Sequence, residues 1–439
     1  MFKKFHLLRK LKKSEFLQLV LPTVSPLVSL GAISIGTGFL MTLLTVRMEM
    51  MGASTFEIAL LSTTYYGGFV LGSFRSEPFL VRVGHIRAYA VFGAITAIVA
   101  MLHGLFLNPW SWIVLRFIGG YCLAGLYIVI ESWLLIKSAP STRGRILSFY
   151  MISLYASQSL GQLFLRLSDM ETLMPFCIIT IFCSLSIIPL SMTKVKSPIF
   201  EKTSLLTIGT MFKISPSSVL GSLVSGMILG SLYGLFPSFL HDVGSNVDQI
   251  AILMSIVIFG GMLLQYPIGL MSDLFEKRSV MTVICILLSL SCILIMASAY
   301  THQLFFTFST FLFGGFAFVL YPLSITFACD TVKPDDIVAT TGTLFLAYGI
   351  GATVGPFLYG VGARLAPYFP EALVRFMSPI GLFVYIGLLS AALGIFIFWR
   401  RAMLPAVSAD DQANFVAMPR STPVVSEFDP RIEEGLEKE

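Results

Sequence analysis

Charged residues are scarce in this sequence. Aspartate, glutamate, lysine and arginine make up 12% of its 439 residues, whereas hydrophobic residues make up 56%. A soluble domain carries about 25% charged residues, because its surface must be polar even where its core is apolar. The shortage excludes a water-soluble globule and predicts that lipid surrounds most of the chain. Strict alternation of apolar and polar residues is missing as well, which disfavours a membrane β-barrel.

Residue types that bind metals or perform catalysis are also few. The six cysteines all lie in apolar runs without a C-x-x-C pair, which is typical of small buried hydrophobes. The five histidines show no ligand spacing, and no glycine-rich nucleotide loop follows a strand pattern. The sequence therefore predicts no cofactor, no metal site, no nucleic-acid partner and no enzymatic activity.

Long apolar runs are what the sequence has in abundance. An apolar run of about 20 residues spans a bilayer as an α-helix. The predicted spans are residues 18–46, 56–75, 86–107, 111–136, 146–168, 173–193, 217–240, 248–271, 279–300, 303–330, 338–364 and 378–400. The sequence thus predicts an all-α membrane protein with twelve transmembrane helices.

Two polar stretches predict the domain limits. The stretch 194–214 divides the spans into six and six, and we interpret it as a cytoplasmic linker. It separates an N-terminal six-helix bundle, residues 1–193, from a C-terminal six-helix bundle, residues 215–400. The tail, residues 401–439, is rich in acids and prolines, and its composition predicts a disordered cytoplasmic segment.

The distribution of lysine and arginine predicts the orientation. These residues crowd alternate connections between the spans, whereas the opposite connections carry only Arg47, Arg166, Arg364 and Arg375. Cytoplasmic loops of membrane proteins carry the excess of positive charge. Both termini are therefore expected on the cytoplasmic side.

The two predicted halves repeat each other. Each has a short charged loop after its second span, and each has an acid at the inner end of its fourth span, Glu131 and Asp330. Each continues with a glycine-bearing fifth span, at Gly161 and Gly355. Such a duplication is typical of transporters that bind their solute between related halves.

The charged loops resemble the signature G-x-x-x-D-R-x-G-R-R/K of the major facilitator superfamily. The copy after the eighth span supplies Gly269, Asp273, Lys277 and Arg278. The copy after the second span supplies Arg82, Gly84 and Arg87 but has Val81 in place of the acid. The stretches RVGHIRAYA, GLYIVIESWL, YPLSITFACD and FVAMPRSTPVVSEFDP are similar to a bacterial branch of the superfamily whose substrates are mostly unassigned.

This resemblance covers essentially the whole chain and has functional implications. It implies two pseudo-symmetric six-helix bundles in a bacterial inner membrane. It also implies a monomeric secondary transporter that carries a small-molecule solute by alternating access, with the proton as candidate coupling ion. The alternative that we keep is a transporter-like sensor or scaffold that signals through its cytoplasmic tail.

Charged residues near the inner surface are candidates for a cytoplasmic gate. We expect Glu131 to meet one of the nearby arginines, and Asp330 to meet Lys277 or Arg278. The alternatives are static ion pairs, or charges that only set the topology. The predicted gate residues are Arg82, Arg87, Glu131, Arg145, Gly269, Asp273, Lys277, Arg278 and Asp330.

Polar residues within the spans are candidates for solute binding or coupling. Arg116 is interpreted as a solute anchor or as a neighbour of a proton site, and the alternative is snorkelling to the outer surface. Glu131 is the candidate protonatable group. The sequence favours a cavity with few charges, suited to a small amphipathic or neutral solute. The predicted residues are Arg116, Tyr127, Gln158, Gln162, Gln265 and Tyr348.

A glycine–proline pattern in the eleventh span predicts a special helix contact. It consists of Gly351, Gly355 and Pro356, and it resembles a motif of superfamily antiporters. Glycine and proline allow a bend at the interface between halves. Tight packing without a bend is the alternative.

Overall fold

The computed structural model describes residues 23–138, 142–167, 169–193, 206–333, 336–368, 380–403 and 412–431. Most of the predicted linker, residues 194–205, lies outside the described residues, as do residues 1–22, 404–411 and 432–439. Within the described ranges the chain is helical and contains no strand. The predicted all-α fold is therefore confirmed.

Twelve long helices form the body of the part of the chain that the structure describes. Two short helices, Glu77–Val83 and Ile208–Ile214, lie between them. In chain order the long helices are α1 (Val24–Met50), α2 (Thr55–Arg75), α3 (His85–Leu105), α4 (Pro109–Lys137), α5 (Arg143–Leu163), α6 (Met174–Ser191), α7 (Pro216–Asp242), α8 (Val247–Leu274), α9 (Lys277–Ser298), α10 (Gln303–Cys329), α11 (Ile337–Leu365) and α12 (Gly381–Met403).

Ten of the long helices are apolar and long enough to cross a membrane. The other two, α2 and α5, are 21 residues long and coincide with predicted spans. They carry more serine, threonine, tyrosine and glutamine than the others, because both contribute side chains to the interior of the protein. That α2 and α5 also cross the membrane, which would bring the number of spans to twelve, stays a prediction.

Equivalent helices of the two halves begin in the same way. Ser54 caps α2 and Asn246 caps α8, and each accepts a hydrogen bond from the third helical residue. The side chain of that third residue, Glu57 or Gln249, in turn accepts a hydrogen bond from the backbone N–H of the cap. These reciprocal capping boxes satisfy N–H groups that a helix start leaves unpaired, and they fix the starting point of both helices.

The helices pack as two six-helix bundles with the same internal arrangement. In the first bundle, α1 packs on α5 and α6, α2 packs on α4, and α3 packs on α4 and α6. In the second, α7 packs on α11 and α12, α8 packs on α10, and α9 packs on α10 and α12. The bundles meet mainly where α2 contacts α11 and where α5 contacts α8. The duplication seen in the sequence is therefore a duplication of packing.

The two bundles are joined by direct hydrogen bonds at one end. We call it the closed end, where α1 and α7 end and α2 and α8 begin. Ser159 of α5 and Ser255 of α8 lie with their hydroxyl oxygens 2.7 Å apart. Thr45 donates to the carbonyl of Gly234 at 3.1 Å. The opposite end, where α2 ends and α9 begins, is called the basic end.

At the basic end, residues 412–431 of the C-terminal tail lie between the bundles. We call these residues the tail loop. Its 3₁₀ segment, Pro423–Phe428, packs against α4 and α5 of one bundle and α11 of the other. The prediction of a disordered tail is wrong for the tail loop, since Met418, Val425 and Phe428 are each no more than 3% exposed. The composition of the tail did not reveal this order, because the apolar residues that pack against the tail loop belong to helices that are distant in the sequence.

Candidate functional site

A central cavity lies between the bundles. Helices α1, α2, α4 and α5 line it on one side, and α7 and α11 line it on the other. Six tyrosines and two glutamines provide most of its polar surface, and no charged side chain from the described helices lines it. Arg420 and Ser421 of the tail loop complete the lining, and the space left open is about 80 Å³.

Four of the six predicted cavity residues line this cavity. Tyr127, Gln158, Gln162 and Tyr348 do so, whereas Arg116 and Gln265 do not. The amide of Gln265 instead points to the carbonyl of Phe318, 3.5 Å away. For Gln265 the prediction of solute contact is wrong in this conformation, because the residue faces α10 rather than the cavity.

Arg116 is buried beside a tyrosine. Its guanidinium lies 4.1 Å from the ring centre of Tyr65, and the residue is only 5% exposed. The snorkelling alternative is therefore wrong. A cation stacked on an aromatic face gains electrostatic energy from the ring quadrupole. Arg116 is thus placed behind a wall of the cavity, and the prediction that it contacts solute directly is not met in this conformation.

The two glutamines of α5 have different surroundings. Gln162 accepts a hydrogen bond from Thr42 at 2.5 Å and donates one to the carbonyl of Gly38 at 3.0 Å. These bonds tie α5 to α1, and Gln162 is almost fully buried. Gln158 accepts a weaker hydrogen bond from Tyr233 of the other bundle at 3.4 Å. Gln158 is therefore the glutamine better placed to exchange partners with a solute.

The predicted ion pair between Lys277 and Asp330 is present. The two side chains are 1% and 2% exposed, and their charged atoms lie 2.6 Å apart. Both groups also hold the tail loop, because Lys277 donates to the carbonyl of Ala413 and Asp330 accepts from its N–H. The pair is confirmed as an interaction, and its part in gating stays a prediction.

Other residues of the same signature loop also bind the tail loop. Asp273 accepts a hydrogen bond from the backbone N–H of Phe415 at 2.6 Å. The Phe415 ring lies against Gly269, where a Cβ atom would come within 3.0 Å of it. The glycine thus leaves room for an aromatic ring. No local signal in the sequence could have shown that residues 413–415 are the partners of this loop.

Arg278 makes a different contact from the one expected. Its Nε atom lies 3.5 Å from Glu276, whose carboxylate also accepts from Arg401 of α12 at 2.6 Å. Glu276, which departs from the superfamily signature, forms ion pairs with both of these arginines. Arg278 therefore holds the first turn of α9 against α12, while Lys277 pairs with Asp330.

The prediction that Glu131 meets an arginine is wrong. Glu131 is fully buried and accepts hydrogen bonds from Tyr150, at 2.6 Å, and from Thr422 of the tail loop. The three candidate partners are exposed and make no ion pair with the described residues; they are Arg82, Arg87 and Arg145. They stay in solvent because burying a cation costs more free energy than keeping it hydrated.

Arg420 reaches the centre of the protein. It donates to the hydroxyl of Tyr155 at 2.6 Å and to the carbonyl of Phe318 at 3.4 Å. Its guanidinium lies 4.5 Å from the ring centre of Phe318, 5.7 Å from that of Tyr155 and 6.0 Å from that of Tyr348. We call these three residues the aromatic cage. The sequence prediction missed Arg420 because it lies 265 residues from Tyr155 along the chain.

The tail loop closes on itself at the basic end. Arg431 pairs with Asp429 at 2.5 Å and donates to the carbonyl of Asn414 at 3.2 Å. Asp429 and Arg431 are both almost fully buried. The loop thus enters near Ala413, reaches the cavity at Arg420 and returns to its own starting point.

The glycine–proline pattern of α11 produces close packing. A Cβ atom at Gly351 would come within 3.0 Å of the carbonyl oxygen of Leu223, and one at Gly355 would lie 2.5 Å from the Cα atom of Met227. Helix α11 runs unbroken through Pro356. The contacts favour tight packing of α11 on α7, and a bend that moves during transport stays a prediction.

The comparisons with known proteins agree with this architecture. The family model for the Major Facilitator Superfamily matches residues 218–426. The uncharacterized MFS-type transporter YcaD of Escherichia coli O17:K52:H18 (strain UMN026 / ExPEC) is 29% identical over 370 residues, which cover 84% of this chain and 95% of that protein. The chain is therefore similar to transporters of the major facilitator superfamily over most of its length.

Other similar proteins lead to the same superfamily. YcaD of Escherichia fergusonii is 28% identical with the same coverage. The structure of the nucleoside transporter NupG has a TM-score of 0.69 at 15% identity, covering 86% of this chain and 98% of its own. That of the POT family transporter PepTSo has a TM-score of 0.68 at 13% identity, covering 87% and 98%. At these identities the two structures show the fold alone.

Similarity to superfamily transporters sets the coarse function. The protein is a multi-pass membrane transporter and not an enzyme. Superfamily transporters bind small-molecule substrates within the membrane, which is where the central cavity of this chain lies.

Proposed function

We propose that the protein is a secondary transporter that moves one small solute through the central cavity by alternating access. The observation that carries this proposal is the cavity lined from both bundles, closed at one end by direct contacts and occupied at the basic end by the tail loop. A carrier that rocks two related halves around a fixed site has this arrangement in one of its two states.

We also propose that the basic end faces the cytoplasm of a bacterial cell, across its inner membrane. The excess of lysine and arginine in the connections at this end supports the orientation. The observed conformation is then closed toward the outside. For the other state, the contacts at the closed end must break and the bundles must approach at the basic end, so the tail loop must leave first.

A reversible disulfide across the closed end tests alternating access. In the Ser159→Cys/Ser255→Cys variant, oxidation should join α5 to α8, since the native hydroxyl oxygens are 2.7 Å apart. We expect solute flux into reconstituted vesicles to fall at least tenfold on oxidation and to recover on reduction. Flux is measured without ATP against a broad panel of solutes, with and without a proton gradient.

The two single-cysteine variants are the matched controls, and oxidation should leave both unaffected. Undiminished flux through the cross-linked variant would exclude rocking at this interface. Absence of flux for every solute in the panel, in the wild type as well, would overturn the transporter proposal itself.

Glu131 is proposed as the proton-coupling residue. Its described partners are the hydroxyls of Tyr150 and Thr422, so no neighbouring cation fixes its charge. A carboxylate that exchanges a proton between states would respond to the proton gradient. Glu131→Gln should therefore reduce the acceleration of flux by an inward pH gradient at least tenfold.

The matched control for this measurement is Glu171→Gln, because Glu171 is exposed at the closed end. Vesicle flux is recorded with and without the gradient for both variants. An unchanged gradient response in Glu131→Gln would remove Glu131 as the coupling group, while leaving uncoupled transport possible.

The sensor or scaffold alternative makes a different prediction for the tail. Removing residues 405–439 should then abolish the cellular phenotype while leaving flux intact. Under the transporter proposal, the phenotype follows flux. The position of the tail loop inside the bundle supports a role in the transport cycle rather than a free signalling arm.

A further inference from the structure

The tail loop and a solute compete for the same space. With Arg420 and Ser421 in place, the cavity offers about 80 Å³. Sites for small molecules typically have volumes of about 300–1,000 Å³. The remaining space holds a few water molecules, so a solute can bind centrally only after the tail loop moves out.

The group that the tail loop places in the cavity is a cation. Arg420 lies among the aromatic cage of Tyr155, Phe318 and Tyr348, with its hydrogen bonds going to a hydroxyl and a backbone carbonyl. No carboxylate of the described residues pairs with it. Rings around a cation form a recognition site for guanidinium or ammonium groups, and here the chain itself supplies the cation.

Without the tail loop, the cavity keeps features that favour a cation. The helices contribute no lysine, arginine or histidine to its described lining, and they contribute hydroxyl and amide oxygens that accept hydrogen bonds. Departure of Thr422 would also leave Glu131, a buried acid, with Tyr150 as its remaining described partner. The buried helical cation Arg116 stacks on Tyr65 and does not line the cavity.

At the basic end, backbone hydrogen bonds hold the tail loop in a way that suits release. Asp273 and Asp330 accept hydrogen bonds from the N–H groups of Phe415 and Ala413, and Lys277 donates one to the carbonyl of Ala413. Such bonds fix the register of the segment, and water can replace them when the segment leaves. The chain therefore has two states, one with the tail loop in the cavity and one with the cavity free. Because only the second state can bind a competing ligand, the fraction of protein in the first state lowers the apparent affinity for that ligand.

We propose that the central cavity binds an organic cation with a guanidinium or amine group, and that Arg420 is a tethered competitor for this site. The proposal rests on the proposed function and narrows its solute class. It also replaces the neutral solute that the sequence favoured. The tail loop then inhibits the protein until a cationic solute, or another change at the basic end, displaces it.

Binding of agmatine, a guanidinium compound, to full-length protein in lipid nanodiscs tests this proposal. Arg420→Gln removes the tethered cation, so it should tighten agmatine binding at least tenfold by calorimetry. Lys213→Gln is the matched control, because it removes an exposed positive charge that does not contact the tail loop. It should leave the affinity unchanged.

The aromatic cage is tested in the Arg420→Gln background. Tyr348→Leu should weaken agmatine binding at least tenfold, and Tyr155→Leu serves as a second variant if the first does not fold. Glutarate, an anion of similar length, should not bind. Equal agmatine affinity in wild type and Arg420→Gln would overturn the proposal, since the tail loop would then not compete.

An effect of Arg420→Gln in the opposite direction also overturns the proposal. If Arg420→Gln abolishes ligand binding, or if glutarate binds and agmatine does not, Arg420 belongs to an anion site. Binding needs no translocation, so these outcomes are independent of vesicle flux. Flux of some solute without agmatine binding would reject the cation site alone, whereas agmatine binding without any flux would reject the transporter alone.

Discussion

Replacing Lys277 with methionine is expected to lower the free energy of unfolding by about 3–5 kcal/mol. The substitution leaves the carboxylate of Asp330 buried, with the N–H of Ala413 as its remaining partner. A buried charge that loses its counterion keeps its desolvation cost and loses its compensation. Thermal unfolding of purified protein in detergent measures the loss, which should appear as a clearly lowered Tm.

Two further variants identify the cause. Lys277→Met/Asp330→Leu removes both charges and should recover most of the stability, because an apolar pair of similar volume often replaces a buried ion pair without loss. Lys213→Met removes an exposed lysine at the same end and should change the stability by less than about 0.5 kcal/mol. A double variant as unstable as the single one would mean that the bonds of these two side chains to Ala413, rather than the ion pair, stabilise the fold.

The helices could be predicted from the sequence because hydropathy is a local signal. The predicted span 303–330 corresponds to α10, Gln303–Cys329, and the predicted span 338–364 corresponds to α11, Ile337–Leu365. The less apolar α2 and α5 were predicted in the same way, from the runs 56–75 and 146–168. Each of these conclusions needs only neighbouring residues.

The candidate site was only partly predictable, because its partners are distant along the chain. The pairing of Asp330 with Lys277 could be predicted, because Lys277 lies in the charged loop and Asp330 directly follows α10. The same reasoning failed for Glu131, since it assumed that the two halves pair their charges alike. The first half instead uses Tyr150 and a residue of the tail loop, Thr422, 291 positions away.

The tail loop shows the limit of composition most clearly. Its acids and prolines indicated disorder, yet Phe415 fits against Gly269 and Arg420 reaches the aromatic cage. A segment that carries acids and prolines can still be ordered when a preformed surface buries its apolar side chains and supplies its hydrogen-bond partners. Only the assembled bundle provides that surface.

Gly351→Ala is expected to destabilise the protein by about 3 kcal/mol or more, at or beyond the upper range for overpacked cores. The new Cβ atom would come within 3.0 Å of the carbonyl oxygen of Leu223 and 3.1 Å from the backbone nitrogen of Met227. Both are backbone atoms of α7, so no side-chain rotation can relieve the clash. The two helices must separate, and the loss is measured as a lower Tm and a lower yield of folded protein.

The sign of this effect is informative, because alanine is intrinsically the better helix former by about 1 kcal/mol. A loss of stability must therefore come from the packing of α11 on α7. Gly209→Ala is the matched control, since nothing lies within 4 Å of a Cβ atom there, and it should leave the stability unchanged or raise it slightly. If Gly351→Ala proves as stable as this control, α7 and α11 are farther apart than described. The cavity wall that Tyr348 provides, one turn earlier on α11, would then be displaced as well.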